Sequence, residues 1–537
     1  MKKYILPTIM VLSVALGIFL GISLTQKANA QRITYQNGQW SIEQSKVDRL
    51  LHLMETAYVD ELNIDSITDE VMSEMVQKLD PHSAYIPKED LEMVNSELAG
   101  SFSGIGVQFT IQSDTVRIVA VIPGGPCEGV GVLAGDKLVT VDDSLFVGRK
   151  INNEKVIRTL RGEKGSQVKL GIIRAGARDM LYYTVIRGDI PVTSVDAKFI
   201  IDSPNGQKIG FIRVNKFGET TYREFISALA ELHSKGATRY IIDLRENSGG
   251  YMEQAIRMAN EFLSRGSMIV YSQGKAYPRY EAKADGSGRF KEVPLVVLID
   301  NFSASASEIF AGAMQDNDRA IIVGRRSFGK GLVQQQMMFD DGSAIRLTVA
   351  RYYTPSGRCI QKPYTLGDQD DYEHELLDRF EHGEFYSADS IHFTDTTTYR
   401  TKGGRIVHGG GGIMPDEFVG RDTTLNTPWY NYCVNMAYTY QFAYRYTDLN
   451  RRKLSQYKDW KSLERYLLSQ DILSQFVTFA QEKGVEPKPE EIAKSKPLMV
   501  RLLNAYIVRN ILGDEGFFPL FERDDEITKK AIEVLSK

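Results

Sequence analysis

The middle of the 537-residue chain reads Ile209-Gly-Phe-Ile-Arg-Val214, then an amphipathic segment at 222–234, then Tyr240-Ile-Ile-Asp-Leu244. The two short apolar runs predict strands, and the three- to four-residue apolar spacing between them predicts a helix. A strand–helix–strand unit of this kind is typical of a largely parallel sheet that is covered by helices.

The same alternation continues toward the C-terminus. A helical pattern at 252–263 precedes the apolar run Pro294-Leu-Val-Val-Leu-Ile299, and a helix from about Ala306 and a strand ending at Tyr353 follow. We therefore predict an α/β core over 189–426. Residues 365–404 interrupt it with ten acidic and three basic side chains. Because the apolar content of this segment is too low to bury, we expect a solvated surface insertion.

The flanking regions have different patterns. Residues 99–188 alternate with period two between Gly- and Pro-containing turns, which predicts a small, mostly β domain. Residues 31–98 and 427–537 are helical in pattern. Residues 1–30 begin with Met1-Lys2-Lys3, continue with an uncharged run and end in the small-x-small pattern Ala28-Asn29-Ala30. This is the arrangement of a signal peptide, although the uncharged run is also long enough to span a bilayer. We expect export to the periplasm or cell envelope, with the segment either cleaved or kept as an inner-membrane anchor.

Composition excludes several classes of protein. Hydrophobic residues make up 42% and charged residues 25% of the chain, as in soluble multidomain proteins. The net charge of −4 provides no basic field for nucleic acid, so none is expected as a partner. Three scattered cysteines, Cys127, Cys359 and Cys433, predict neither a disulfide framework nor a zinc site. No metal or organic cofactor is expected.

The β region carries a glycine motif, Ser103-Gly104-Ile105-Gly106-Val107, directly before a strand. Such a loop lets consecutive backbone N–H groups point at a peptide's terminal carboxylate while the peptide extends the sheet, although tight turns produce the same pattern. With Val119-Ala-Val-Ile-Pro-Gly-Gly-Pro126 and Leu133-Ala-Gly-Asp-Lys-Leu-Val139, the region resembles a PDZ domain of the bacterial protease type. The resemblance implies that the carboxylate loop consists of Gly104, Ile105, Gly106 and Val107.

Three segments of the α/β region contain residues suited to nucleophilic catalysis: 243–250, 300–308 and 324–334. Ser305 lies at a strand-to-helix turn, where helix N–H groups can stabilise an oxyanion. Ser305-x-x-Glu308 also has the spacing of a capping box, so the local sequence leaves cap and nucleophile both open. The seven histidines lie away from these segments. Lys330 can replace a histidine base if burial lowers its pKa, and its flanking glycines favour close packing there. Gln334 can orient the amine of Lys330 through its side-chain amide.

Together these segments resemble the C-terminal processing peptidases, the tail-specific serine proteases with a Ser–Lys dyad. The motifs that carry the resemblance are Asn301-Phe-Ser-Ala-Ser-Ala-Ser-Glu308 and Ser327-Phe-Gly-Lys-Gly-Leu-Val-Gln334, with Leu79-Asp-Pro-His-Ser-Ala-Tyr85 and Tyr353-Thr-Pro-Ser-Gly-Arg358. It implies an α/β core with ClpP/crotonase-like βαβ layers, an inserted PDZ domain and helical N- and C-terminal regions.

By position in these motifs, the resemblance implies that Ser305 is the nucleophile, Lys330 the general base and Gln334 the group that supports the base. One of the neighbouring serines, Ser303 or Ser307, would cap the helix. The insertion and the helical C-terminus depart from the family pattern. These departures leave the route of substrate access and the assembly undecided, but they do not affect the dyad.

The oxyanion hole implied by the same resemblance consists of the N–H of Ala306 and one from Gly249 or Gly250. The sequence does not decide between the two glycines.

The resulting hypothesis is an exported serine endopeptidase that recognises apolar C-terminal tails of proteins through its PDZ domain. Two rival hypotheses are a non-catalytic PDZ scaffold on a protease-like fold and a crotonase-type enzyme. Both agree less well with the chain, because a scaffold has no need of all three catalytic side chains and acyl-CoA is scarce outside the cytoplasm. The resemblance also suggests a lipoprotein adaptor and a homo-oligomer as partners, about which the residues themselves say nothing.

Overall fold

The computed structural model describes residues 33–36, 39–42, 46–96, 98–112, 114–122, 124–133, 135–174, 176–392 and 397–537. The predicted signal segment, 1–30, lies outside these residues. Within them, no helix has the length and apolar character needed to cross a membrane. The chain divides into two compact units, residues 1–76 and 77–537.

The first unit contains an antiparallel hairpin and helical segments. Its elements are β1 (Ile33–Gln36), β2 (Gln39–Ile42), α1 (Lys46–Ala57) and α2 (Ile64–Gln77), whose last residue belongs to the second unit. The helical prediction for 31–98 is confirmed at α1 and α2 and is wrong for β1 and β2, which form an antiparallel hairpin. The apolar side chains Leu50 and Leu53 of α1 are exposed.

The β region begins the larger unit and has its own core. Its elements are β3 (Ala84–Ile86), α3 (Lys88–Ser96), β4 (Ser101–Gly104), β5 (Val107–Gln112), β6 (Thr115–Val121), α4 (Pro126–Val130), β7 (Lys137–Val141), β8 (Ser144–Leu145), α5 (Asn153–Leu160), β9 (Gln167–Ile173), β10 (Leu181–Ile186) and β11 (Gly188–Pro191). The antiparallel sheet has the strand order β10-β9-β7-β6-β5, which leaves β5 at an edge. β4 pairs with β11, so the chain enters and leaves this region on adjacent strands.

The α/β core follows the predicted alternation. Its elements are β12 (Val195–Asp202), β13 (Lys208–Val214), α6 (Thr221–Ser234), β14 (Arg239–Asp243), α7 (Met252–Asn260), β15 (Met268–Gln273), β16 (Tyr280–Lys283), β17 (Leu295–Ile299), α8 (Ala306–Asp316), β18 (Ile321–Gly324), β19 (Leu332–Met338) and β20 (Ala344–Tyr353). The main sheet has the order β12-β13-β14-β17-β18, and every pair from β13 onward is parallel. A second, antiparallel sheet has the order β16-β15-β20-β19, and β3 pairs with β20.

The polar segment 365–404 contains a helix, α9 (Gln369–Glu381), and the first strand of a short hairpin. The second strand of the hairpin and one more strand of the main sheet follow the segment. The strands are β21 (Thr398–Arg400), β22 (Ile406–His408) and β23 (Glu417–Phe418), the last of which pairs with β18. The expectation that this segment is too polar to bury is wrong for α9, because Tyr372 and Arg379 are only 4% and 3% exposed. Ion pairs and hydrogen bonds compensate the buried charge of Arg379, so low apolar content did not prevent burial.

The C-terminal region is helical, as predicted. Its helices are α10 (Pro428–Asn435), α11 (Tyr438–Leu454), α12 (Trp460–Leu468), α13 (Ile472–Glu482), α14 (Pro489–Leu512), α15 (Asp514–Glu522) and α16 (Glu526–Ser536). Most of them share a separate hydrophobic core. Through Ile527, Ala531 and Leu535, α16 packs against one face of the main sheet, while α6, α7 and α8 cover the other. The sheet therefore has helices on both faces, and the loops at the carboxyl ends of its strands form the candidate site.

Candidate active site

The three segments singled out in the sequence converge on one cleft of about 650 Å³. Ser305, Lys330 and Gln334 all line it, together with Gly249 and Gly250. The loops after β14 and β17 and the segment before β19 meet there because parallel strands present their carboxyl ends at one edge of a sheet. The structure thus brings together the residues predicted for catalysis.

Ser305 occupies the strained turn between β17 and α8. Its backbone has φ 54° and ψ −113°, a combination that costs a non-glycine residue free energy and is found mainly where function requires it. Gly249 packs directly against this turn, since a Cβ on Gly249 would lie 2.7 Å from the Cβ of Ser305. A side chain at position 249 would therefore displace the serine.

The serines on either side of Ser305 hold the turn in place. Ser303 Oγ donates to the carbonyl of Leu244 at 2.8 Å, and Ser307 Oγ donates to the carbonyl of Asn247 at 2.9 Å. The prediction that one of them caps α8 is wrong, because Ser305 itself is the N-cap residue. Both hydroxyls instead tie the turn to the loop after β14.

Glu308 connects the serine turn to the lysine loop, a role that the sequence analysis missed. Its buried carboxylate accepts hydrogen bonds from the N–H groups of Ser305, Gly329 and Lys330 at 2.7–2.8 Å and from the hydroxyl of Ser327 at 2.6 Å. Burial raises the pKa of Glu308 to about 7, against the effect of these four donors. The capping-box spacing was the signal, and here the glutamate caps two segments at once.

Lys330 lies in a setting that favours its neutral form. Burial, reinforced by the positive charge of Arg346, lowers the pKa of Lys330 to about 8. The Nζ donates to Oε1 of Gln334 at 3.1 Å, as the sequence suggested. Within the described residues Nζ has this one hydrogen bond. Ser305 and Lys330 therefore share the cleft without being bonded to each other.

Gln334 is fixed in turn by the Asp-Pro-His-Ser segment near residue 80. Its Nε2 donates to the carbonyl of His82 at 2.8 Å. Asp80 holds this segment by accepting from the N–H groups of His82 and Ser83 and from the hydroxyl of Thr348 at 2.9–3.1 Å. Burial lowers the pKa of His82 to about 3, so its ring is neutral near pH 7. The motif was recognised in the sequence, but not its function as a support for Gln334.

Backbone N–H groups suited to an oxyanion lie beside Ser305. The N–H of Gly249 is already used, since it donates to Oδ1 of Asn247 at 2.9 Å. The N–H groups of Gly250 and Ala306 have no recorded acceptor in the part of the chain that the structure describes. The geometry therefore favours Gly250 over Gly249 as the second donor.

The predicted carboxylate loop lies at the start of the edge strand β5. Gly106 has φ +77°, and a Cβ there would lie 3.2 Å from the Cα of Gly125, so only glycine fits this bend without strain. Ile105 is buried, while the outer edge of β5 is unpaired in the described sheet. An edge strand after a glycine loop can accept an extended peptide as an additional strand.

A metal site is not apparent among the described residues, because no group of three or more His, Cys, Asp or Glu side chains there is arranged to hold an ion. The cleft is lined by a serine, an amine and the glycine loop.

Comparisons with family models agree with this arrangement. Residues 208–373 match the model of peptidase family S41, residues 103–183 match the model of a PDZ domain, and residues 429–513 match a family of unknown function.

Curated relatives are similar over most of the same region. The carboxy-terminal-processing protease of Bartonella bacilliformis is 35% identical over 353 residues, which cover 64% of this chain and 78% of that protein. The carboxy-terminal processing protease CtpA of Bacillus subtilis is 34% identical over 318 residues, covering 59% and 66%. Among solved structures, a photosystem II D1 C-terminal processing protease aligns at 25% identity and a TM-score of 0.37, covering 70% of this chain and 92% of that one. The chain belongs to the C-terminal processing proteases of peptidase family S41.

Proposed function

We propose that this protein is an exported serine endopeptidase that cleaves proteins through a Ser305–Lys330 dyad after its PDZ domain binds an apolar C-terminal tail. The observation that carries the proposal is the shared cleft, in which a strained serine lies beside a lysine whose pKa is about 8. About a tenth of such an amine is neutral at pH 7, far more than of an ordinary lysine, and the neutral form can remove a proton from a hydroxyl.

In the proposed reaction, neutral Lys330 takes the Oγ proton of Ser305 as the oxygen attacks the scissile carbonyl. The oxyanion then accepts hydrogen bonds from the N–H groups of Ala306 and Gly250, each donor stabilising the transition state by about 3–4 kcal/mol. The lysine returns the proton to the leaving amine, and water hydrolyses the acyl-enzyme with the same base. Gln334 keeps the amine oriented between these steps.

The proposal includes gating by the tail. Lys330 Nζ is bonded to Gln334 and not to Ser305, so the amine and the hydroxyl must come within hydrogen-bond distance before reaction. We propose that occupancy of β5 and the 104–107 loop favours that arrangement. A small ester without a tail, assayed with and without a free apolar tail peptide, tests this step. Stimulation by the peptide is expected, and equal rates would contradict gating.

Three further elements of the proposal come from the sequence. Export rests on the pattern of residues 1–30, and the lipoprotein adaptor and homo-oligomer rest on the family resemblance alone. The ClpP/crotonase-like layering is supported by a parallel sheet that carries helices on both faces.

The main test is cleavage of a folded reporter protein that ends in an apolar tail. Wild type should cleave it and should not cleave the same reporter with a charged tail, while Ser305→Ala should bind the tail without cleaving. Ser264→Ala, at an exposed serine outside the cleft, is the matched control and should behave as wild type. Tail binding without cleavage by wild type, even with free tail peptide added, would favour the non-catalytic scaffold instead.

A further inference from the structure

Helix α9, within the polar segment 365–404, packs directly against the loop that carries Lys330. Arg379 Nη1 donates to the carbonyl of Ser327 at 2.8 Å, and its Nη2 donates to the carbonyl of Phe328 at 3.1 Å. These carbonyls precede Lys330 by three and two residues. A single planar guanidinium therefore holds the main chain on the approach to the lysine.

Tyr372 connects the same helix to Lys330 by a second, indirect route. The Tyr372 hydroxyl lies 2.9 Å from Nε2 of His82, whose carbonyl holds Gln334, the partner of Lys330 Nζ. The ring of Tyr372 also meets Phe328 edge-on, with 5.9 Å between centroids.

Lys362 contacts both Phe328 of the lysine loop and Tyr372 of α9. Its buried ammonium lies 4.2 Å from the ring centroid of Phe328 and 4.0 Å from that of Tyr372, which is favourable cation–π geometry. It also donates to Glu375 Oε2 at 2.8 Å, and Glu375 Oε1 accepts from Arg379 Nε at 2.5 Å. Glu375 thus pairs with both cations, so neither buried charge lacks a carboxylate partner.

We propose that α9 is a positioning element for Lys330, with Arg379 and Tyr372 as the positioning residues. This inference rests on the proposed function of Lys330 as the general base. Neither side chain touches Ser305 or lines the cleft, so both act through the main chain of 327–328 and through His82. The helix that low apolar content predicted to be a solvated loop thereby helps to limit the access of water to the base.

The test measures the protonation of Lys330 directly. In competitive acetylation of the folded chain across pH, followed by mass spectrometry, the fraction labelled at Lys330 gives its pKa without any need for activity. The other charges facing this amine are Arg346, Asp80 and Glu308, and they are left unchanged. Glu373→Gln, at an exposed position of α9 next to Tyr372, is the matched control.

Arg379→Gln should raise the labelled pKa of Lys330 from about 8 by about one unit or more, because a loosened loop admits water to the amine. The value of kcat/KM for a tailed reporter at pH 7.5 should fall by about tenfold to a hundredfold, with its acidic limb displaced to higher pH. Arg379→Lys should recover part of both effects, since one ammonium retains the charge but not the two-carbonyl geometry. Tyr372→Phe, which removes one hydroxyl, should shift the pKa in the same direction by less.

An unchanged Lys330 pKa in both Arg379→Gln and Tyr372→Phe would overturn the inference. A lower melting temperature with an unchanged pKa would also overturn it, because it would identify α9 as a stabilising element only. Failure of the proposed function looks different: Lys330→Ala would retain cleavage, or wild type would not cleave at all, while the labelling results would still stand.

Discussion

Asn247 joins the glycine loop to the turn that carries Ser305, and its removal should damage both. Its fully buried side chain donates from Nδ2 to the carbonyl of Val214 at 2.8 Å, and its Oδ1 accepts from the N–H of Gly249 at 2.9 Å. Asn247→Ala leaves both backbone groups buried without these partners. Since each such group costs about 1–3 kcal/mol, the free energy of unfolding should fall by about 2–6 kcal/mol.

Turnover should fall for the same reason. Once the N–H of Gly249 loses its acceptor, the peptide between 248 and 249 is released, and the glycine loop can shift around the remaining bond from the N–H of Phe217 to the carbonyl of Gly249. Such a shift moves the N–H of Gly250 away from the oxyanion position. Loss of one such donor lowers kcat by about 10²–10³-fold. We therefore expect Asn247→Ala to lose turnover under conditions where the chain remains folded.

The assay combines urea unfolding, followed by circular dichroism, with kcat for the tailed reporter. Asn260→Ala is the matched control, because that side chain makes its contacts at exposed Asp285 and Ser287. The control should lose less than about 1.5 kcal/mol and keep its kcat. A folded Asn247→Ala protein whose kcat stays within about twofold of wild type would refute the proposed role of this loop.

Three further predictions concern pH, the core and the tail site. The logarithm of kcat/KM should fall with slope one below about pH 8, because Lys330 takes up its proton there. Below about pH 7 the slope should approach two, because Glu308 is protonated as well. A flat profile from pH 6 to 9 would contradict both assignments. Asp316→Ala should cost about 3–5 kcal/mol in urea unfolding, because it leaves the fully buried guanidinium of Arg358 without its carboxylate at 2.7 Å, and a loss below 1 kcal/mol would show that the pair is dispensable. In Gly106→Ala a side chain at φ +77° costs about 1–2 kcal/mol, which the free loop can escape by relaxing and must restore when it binds a peptide. Binding of an apolar tail peptide should therefore weaken by about 5- to 30-fold in calorimetry, whereas unchanged affinity would place the carboxylate loop elsewhere.

Local pattern was sufficient to predict three strands of the main sheet, β13, β14 and β17, and the close packing around Lys330. The alternation from 209 to 244 became β13, α6 and β14, because periodic burial leaves a direct trace in the sequence. The glycines beside Lys330 do allow close packing: a Cβ on Gly331 would lie 2.8 Å from the backbone nitrogen of Gln361. Lys330 itself is half-buried beside this contact.

Contacts between distant parts of the chain could not be predicted in this way. Gln334 binds the carbonyl of His82, 252 residues earlier, and no periodicity connects the two positions. The burial of Arg379 was not predicted for a related reason. Composition gives the charge of a side chain but not the distant carbonyls and carboxylates that form hydrogen bonds with it. The choice of Gly250 over Gly249 also needed coordinates, because it depends on which N–H already has an acceptor.

The most direct test of the central claim is the detection of an acyl-enzyme on Ser305. The chain would be mixed with an activated ester of a short peptide in the presence of a free apolar tail peptide, quenched in acid during turnover and analysed by intact mass and peptide mapping. The Ser–Lys mechanism predicts one added acyl group, located on Ser305, in wild type and none in Ser305→Ala, with formation in Lys330→Ala slowed by about a hundredfold or more. Turnover without an acyl group, an acyl group on another residue, or unimpaired acylation in Lys330→Ala would contradict it.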